Sequence, residues 1–186
     1  LALGNPWRFF ADPSTSASLP TIVQYRPMMP LSFALGRSLA APFGLEPGVV
    51  DHLGNLVIHL ATVFLVYGWL SRLARLSGSD EARAQRSGGW AAGLYAVHPV
   101  AGVPINYVCA RDLLLMQLFS IAALYAWARF RGPQGAEPNR RWAVAALGCV
   151  GLAMLSKQNA FALPFVLLAF EWLIMRSPPR SLRTYF

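Results

Sequence analysis

Acidic residues are scarce in this chain: eight Asp and Glu stand against sixteen Lys and Arg in 186 residues. Charged residues of both signs make up only 13% of it and hydrophobic ones 55%, which excludes disorder and argues against an ordinary soluble domain. Only two cysteines occur, Cys109 and Cys149, in or beside apolar segments and without a CxxC, so they read as small apolar side chains rather than a disulfide or metal site. GxGxxG, GxSxG, HExxH and P-loop patterns are missing, as is a paired-carboxylate site, and the chemistries those patterns carry are not indicated. No stripe of basic residues interleaved with exposed aromatics occurs, which removes nucleic acid as a partner despite the net charge of +8. Lysine occurs once, at Lys157.

What is present is an uneven distribution of arginine. Eleven of the sixteen basic residues fall in three short hydrophilic stretches: Arg72, Arg75, Arg83 and Arg86; Arg129, Arg131, Arg140 and Arg141; Arg176, Arg180 and Arg183. Excess Lys/Arg in short loops between apolar segments marks the cytoplasmic side of a membrane protein. The far ends of those segments then carry Arg26, His52, His98, Arg111, Asp112 and Lys157 toward the opposite, exoplasmic side. Polar groups are costly beside hydrocarbon, so their gathering on one side points to a site.

The expected fold is all-α: a polytopic transmembrane bundle with about five crossings, preceded by an exoplasmic segment. Residues 1–50 are broken by seven prolines, and Leu31, Leu35 and Leu39 repeat at helical spacing within them, which suits an amphipathic helix at the membrane surface. Residues 51–176 hold the bundle, and 177–186 begin a cytoplasmic loop. The clearest span is 53–70, whose eighteen residues reach about 27 Å at helical rise. A polar connector over 77–87 follows. Segment 88–107 reads either as a helix to Val97, a turn at His98-Pro99 and a descending helix over 107–130, or as one kinked span. Segments 142–155 and 160–175 form the last two crossings. Gly68, Gly93, Gly148 and Gly151 offer places for close helix contact. Both ends of the chain read as internal to a longer protein.

Several side chains are candidates for chemistry. Lys157 ends an apolar helix, where it either meets a phosphate as a point charge or anchors the helix end. Asp112 suits a cap in the first turn of its helix, whereas Arg111 beside it opposes the helix dipole and implies a compensating anion. His52, Asn55 and His59 share a face that should point into the bundle, for a helix–helix hydrogen bond more readily than for catalysis. Arg26 sits in a constrained Tyr-Arg-Pro segment. His98-Pro99 suits a turn or a contact with substrate. No metal set is present, and no cofactor is indicated beyond an open question of a divalent cation.

Four strings in order resemble one family. Tyr25-Arg26-Pro27-Met28-Met29-Pro30-Leu31-Ser32-Phe33 is similar to the YRPL-x-x-LSF segment of the transmembrane and tetratricopeptide-repeat O-mannosyltransferases and their bacterial relatives. His52 to His59 resembles their HLxNLLLH helix, His98-Pro99-Val100 with Ala110 to Leu114 their HPV…GRxDLL segment, and Leu155-Ser156-Lys157-Gln158 their LSKE, with Gln158 replacing the glutamate. The resemblance implies a GT-C type membrane glycosyltransferase that moves a sugar from a polyprenyl-phosphate carrier to a protein or glycan acceptor on the exoplasmic face. That face is the periplasmic side of an inner membrane if the source is bacterial. It also implies that Arg26, Arg111 and Lys157 bind the donor phosphate, while His52, Asn55, His59, His98, Asp112 and Gln158 line the cavity. The family's acidic pair would lie upstream of Leu1, so this piece alone is expected to be inactive. A non-enzymatic transporter or assembly factor that binds an anionic lipid is the alternative.

Overall fold

The chain's long apolar segments become helices whose lengths and breaks follow its prolines and caps. The structure, a computed structural model, describes residues 4–16, 25–132 and 139–173, and among these no strand occurs. Helix α1 (Arg8–Ala11) is a single turn, followed by a 3-10 turn. Helix α2 (Met28–Ala40) buries Pro30, Phe33 and Ala34, while Leu35 and Leu39 of the expected leucine row face outward. Gly44, at φ 62°, ends the 3-10 turn after α2 in the left-handed region that favours glycine.

Helix α3 (Pro47–Leu76) begins with Pro47 in its first turn, where the missing N–H costs nothing, and runs past both ends of the expected 53–70 span. The expected connector over 77–87 is shorter than predicted. Asp80 accepts a hydrogen bond from the Arg83 N–H at 2.8 Å and so starts α4 (Glu81–Val97). Helix α4 stops at Val97, as the His-Pro pair predicts, and Pro99 opens a separate short helix, α5 (Pro99–Asn106), where a plain turn was expected. A 3-10 turn leads into α6 (Arg111–Arg131). Helix α7 (Arg140–Ser156) is capped by Asn139, and a 3-10 turn joins it to α8 (Leu163–Leu173). The third basic stretch, the end of the 160–175 segment and the 177–186 loop lie outside the described residues.

Among the described residues two helices are long and apolar enough to cross a bilayer: Pro47–Leu76 and Val108–Arg131, with 30 and 24 residues. Helices α4 and α7 have 17 residues each and the described part of α8 has 11, so among the described residues length and composition identify two candidate spans, where five crossings were expected.

Helix α3 is polar inside and apolar outside. Asp51, Asn55, His59, Thr62 and Ser71 are buried against the bundle, whereas Leu53, Val57, Leu60 and Phe64 are exposed. Trp90, Leu94, Val144, Phe165 and Trp172 extend the apolar exterior over α4, α7 and α8. In water this arrangement would forfeit burial on every turn; in hydrocarbon it costs nothing, and the polar atoms find partners within. The apolar core lies between α6, α7 and α8, where Leu124, Val150, Leu163 and Phe170 meet. At the arginine-rich end Glu171 ties α8 to α6, accepting from Trp127 Nε1 at 3.0 Å and pairing with Arg131 at 2.9 Å.

Of the described glycines, Gly88 is packed most tightly against a neighbouring helix. A Cβ there would lie 2.0 Å from Ser71 Oγ and 2.8 Å from the Tyr67 carbonyl oxygen. Gly93, Gly148 and Gly151, expected to serve that purpose, have open space at the same position, and Gly68 meets only Tyr125 at ordinary distance. Ser71 can rotate away but the Tyr67 backbone cannot. Gly88→Ala is therefore expected to push α4 off α3 and lower stability by about 1–3 kcal/mol, read as a fall in the unfolding midpoint of the purified protein in detergent.

Candidate functional site

The sequence puts Pro27 directly after Arg26, and Pro27 is fully buried, so the backbone on which Arg26 rides is fixed against the bundle. The Tyr25 hydroxyl, donating to the Phe10 carbonyl at 3.0 Å, holds the other side of this segment. Arg26 Nη1 reaches Asp112 Oδ2 at 2.5 Å. Lys157, where α7 ends, donates from Nζ to the same oxygen at 2.9 Å. A cation at a helix C-terminus is favoured by the exposed carbonyls there. Asp112 Oδ1 accepts the Leu113 N–H at 2.8 Å in the first turn of α6.

The residues of this trio come from positions 26, 112 and 157 and meet at a single carboxylate oxygen. The side chain of Asp112 is 2% exposed, against 19% and 18% for Arg26 and Lys157. Two cations thus share one carboxylate, leaving one positive charge in excess at a partly open position. Arg26 Nε is buried with no protein partner. The cluster can accept a further anion, and Arg26 and Lys157 carry the donors to hold it.

Arg111 has other company. Its Nε donates to Asn55 Oδ1 at 2.7 Å, its Nη2 donates to the Asp51 carbonyl, and its guanidinium lies 3.9 Å from the centre of the Phe33 ring. It is 2% exposed. The compensation that sequence reasoning sought in an anion comes from amide dipoles, an aromatic face and the nearby Asp51 carboxylate. Gly54 makes room for this: a Cβ at that position would sit 2.7 Å from Arg111 Nη2. Asn55 also donates from Nδ2 to the Pro104 and Ile105 carbonyls, at 3.2 and 3.3 Å, and so holds α5 over the end of α3.

Beside it, Arg37 of α2 grips Asp51 with two hydrogen bonds of 2.6 and 3.2 Å. This bond raises the Arg37 pKa above its ordinary value. The two residues are only 14 apart in the sequence, but nothing in their spacing marks the contact.

His59 is buried as expected, bonding through Nε2 to the Ala96 carbonyl at 3.2 Å and stacking on Tyr95 with ring centres 5.5 Å apart. His98 caps the break between α4 and α5, accepting from the Val100 N–H through Nδ1 at 3.3 Å, which is the turn-shaping role of the two open in the sequence. His52, His98 and Gln158 are exposed, so His52 does not join Asn55 and His59 inside the bundle.

No protein-family model matches the chain, and no solved structure matches it. The chain is similar to protein O-mannosyl-transferase Tmtc3 of Drosophila melanogaster, with 29% identity over 169 residues. The match covers 81% of this chain and 18% of the fly protein, so the chain corresponds to under a fifth of that relative's length.

Proposed function

We propose that the chain forms part of the membrane domain of a glycosyltransferase that takes a sugar from a polyprenyl-phosphate carrier and passes it to a protein acceptor at the exoplasmic face. The observation that carries the reading is the Arg26–Asp112–Lys157 cluster, with its surplus positive charge and an unpartnered buried Arg26 Nε. Similarity to an O-mannosyl-transferase supports the reaction class. Basic residues at one end and an apolar exterior support the membrane location. On this reading α3, α4, α6, α7 and α8 cross the bilayer and α2 lies along its surface.

In the reaction the bond from the sugar's anomeric carbon to a phosphate oxygen breaks, and the bonding electrons leave with the phosphate. Arg26 and Lys157 meet the charge that grows on that oxygen, which is where fixed cations lower a barrier most. Asp112 positions both cations. Arg111 adds its field from behind and, through Asn55, fixes the turn on which Asp112 sits. His59 and Asn55, buried within the bundle, support this end of it from behind, and the exposed His52, His98 and Gln158 form its rim.

The test is transfer of a labelled sugar from a polyprenyl-phosphate donor by the full-length protein. Lys157→Ala and Arg26→Ala are each expected to lower the rate about 100-fold, the effect of removing one preorganised charge partner, with Lys157→Arg partly active. Undiminished transfer in both alanine variants would remove the proposed phosphate contacts.

A further inference from the structure

We propose that Arg72 and Arg129 form a second anion site, for the phosphate headgroup of an anionic phospholipid, at the end of the bundle opposite the Arg26–Lys157 cluster. The proposal rests on the membrane reading of the helices and is independent of the sugar chemistry. Arg72 of α3 donates from Nε to the Ala128 carbonyl at 3.0 Å, which sets its guanidinium beside Arg129, the next residue of α6. The two are near enough to repel each other, and Tyr125 lies near Arg72 as well. Neither arginine has a carboxylate within ion-pair distance among the described residues; the neighbouring Arg75 is neutralised by Glu81 at 2.8 Å.

The aromatic residues around them make the pair a built feature. Arg129 lies 4.7 Å from the centre of the Trp142 ring and 5.9 Å from that of Tyr125, and its Nη1 donates to the Tyr125 hydroxyl at 3.3 Å. Tyr125 and Trp142 pack edge to face with centres 6.3 Å apart. Three helices thus hold two like charges together, with donors to spare on each guanidinium. Repulsion of that kind is relieved by an anion that bridges both, and a phosphate matches the geometry of two guanidinium groups. Trp and Tyr at this depth are the side chains that favour the headgroup layer. Val144 and Leu147, on the turns of α7 after Trp142, are exposed and give acyl chains an apolar wall. A lipid, with a charged head and apolar tails, fits both parts.

The full-length protein would be placed in nanodiscs of equimolar phosphatidylglycerol and phosphatidylcholine, extracted in mild detergent, and its retained lipid counted by native mass spectrometry. Wild type is expected to retain phosphatidylglycerol preferentially. Arg72→Gln with Arg129→Gln should lower that retention about thirtyfold, at roughly a fivefold loss for each direct guanidinium–phosphate hydrogen bond removed. Arg140→Gln with Arg141→Gln removes the same charge from two exposed positions nearby and should leave retention within twofold of wild type. Equal loss in both double variants would mean diffuse attraction and overturn the site, as would equal retention of the two lipids by wild type. Inorganic phosphate at millimolar concentration should not displace the lipid; complete displacement would identify a free-anion site instead. Should the first double variant not fold, Arg129→Gln alone decides: a fivefold loss supports the site, and unchanged retention overturns it.

Discussion

Asp112→Asn is expected to destabilise the bundle by about 3–5 kcal/mol, the usual cost of removing one partner from a buried ion pair. Asparagine keeps the shape of the side chain and can still accept the Leu113 N–H bond. What it loses is the charge, and that loss leaves Arg26 and Lys157 facing each other across a neutral amide with their side chains less than a fifth exposed. Unfolding of the purified protein in detergent, followed by tryptophan fluorescence, measures the loss. A second reading separates this charge effect from a packing defect. Millimolar sulfate should restore part of the lost stability to Asp112→Asn by pairing with the two cations left without a counter-charge, while wild type should respond less. A variant as stable as wild type would mean that the carboxylate does not hold the two cations together.

Asn55→Leu is expected to be almost as damaging, again by about 3–5 kcal/mol, because it strands a buried guanidinium. Asn55 has no exposed surface, and its two ends serve different helices: Oδ1 receives Arg111 Nε, and Nδ2 covers the carbonyls of Pro104 and Ile105 at the end of α5. Leucine fills the space and satisfies none of these groups. Replacing both members of the pair removes the polar demand along with its supply, so Asn55→Leu with Arg111→Met should recover much of the loss. A double-mutant cycle in denaturant should therefore show a coupling of at least about 2 kcal/mol. Additive effects of the two substitutions would mean that the Arg111–Asn55 bond contributes little.

The helical character and the breaks were legible because local chemistry decides them. The apolar run of α3, the stop before His98-Pro99, the leucines of α2 and the end of α7 at Lys157 each follow from residues within a turn or two. Two local signals were passed over: the Asp80 cap, which starts α4 inside a segment that looks like a polar connector, and Pro99, which opens α5 where the proline had suggested only a turn. The site was legible as a set of residue types at one end of the bundle but not as a set of partners. Arg26 and Lys157 lie 86 and 45 residues from Asp112. Contacts at such separations are fixed by helix packing, which one sequence does not display. The same limit explains Arg111, whose exposure could not be read from its position, and Gly88, whose importance rests on a helix that passes beside it.

Arg111 and Asp112 are joined by one peptide bond, and at 3.6 residues per turn their side chains leave α6 about 100° apart. One is bolted to α3 through Asn55 and the other clasps the ends of two further segments. Any anion that draws Arg26 and Lys157 outward therefore tugs on a carboxylate whose neighbour cannot turn without tearing a buried guanidinium from its socket. The first turn of α6 is thus held from two sides, and on the proposed reading an entering anion would displace the arginine and lysine side chains rather than the helix that anchors them.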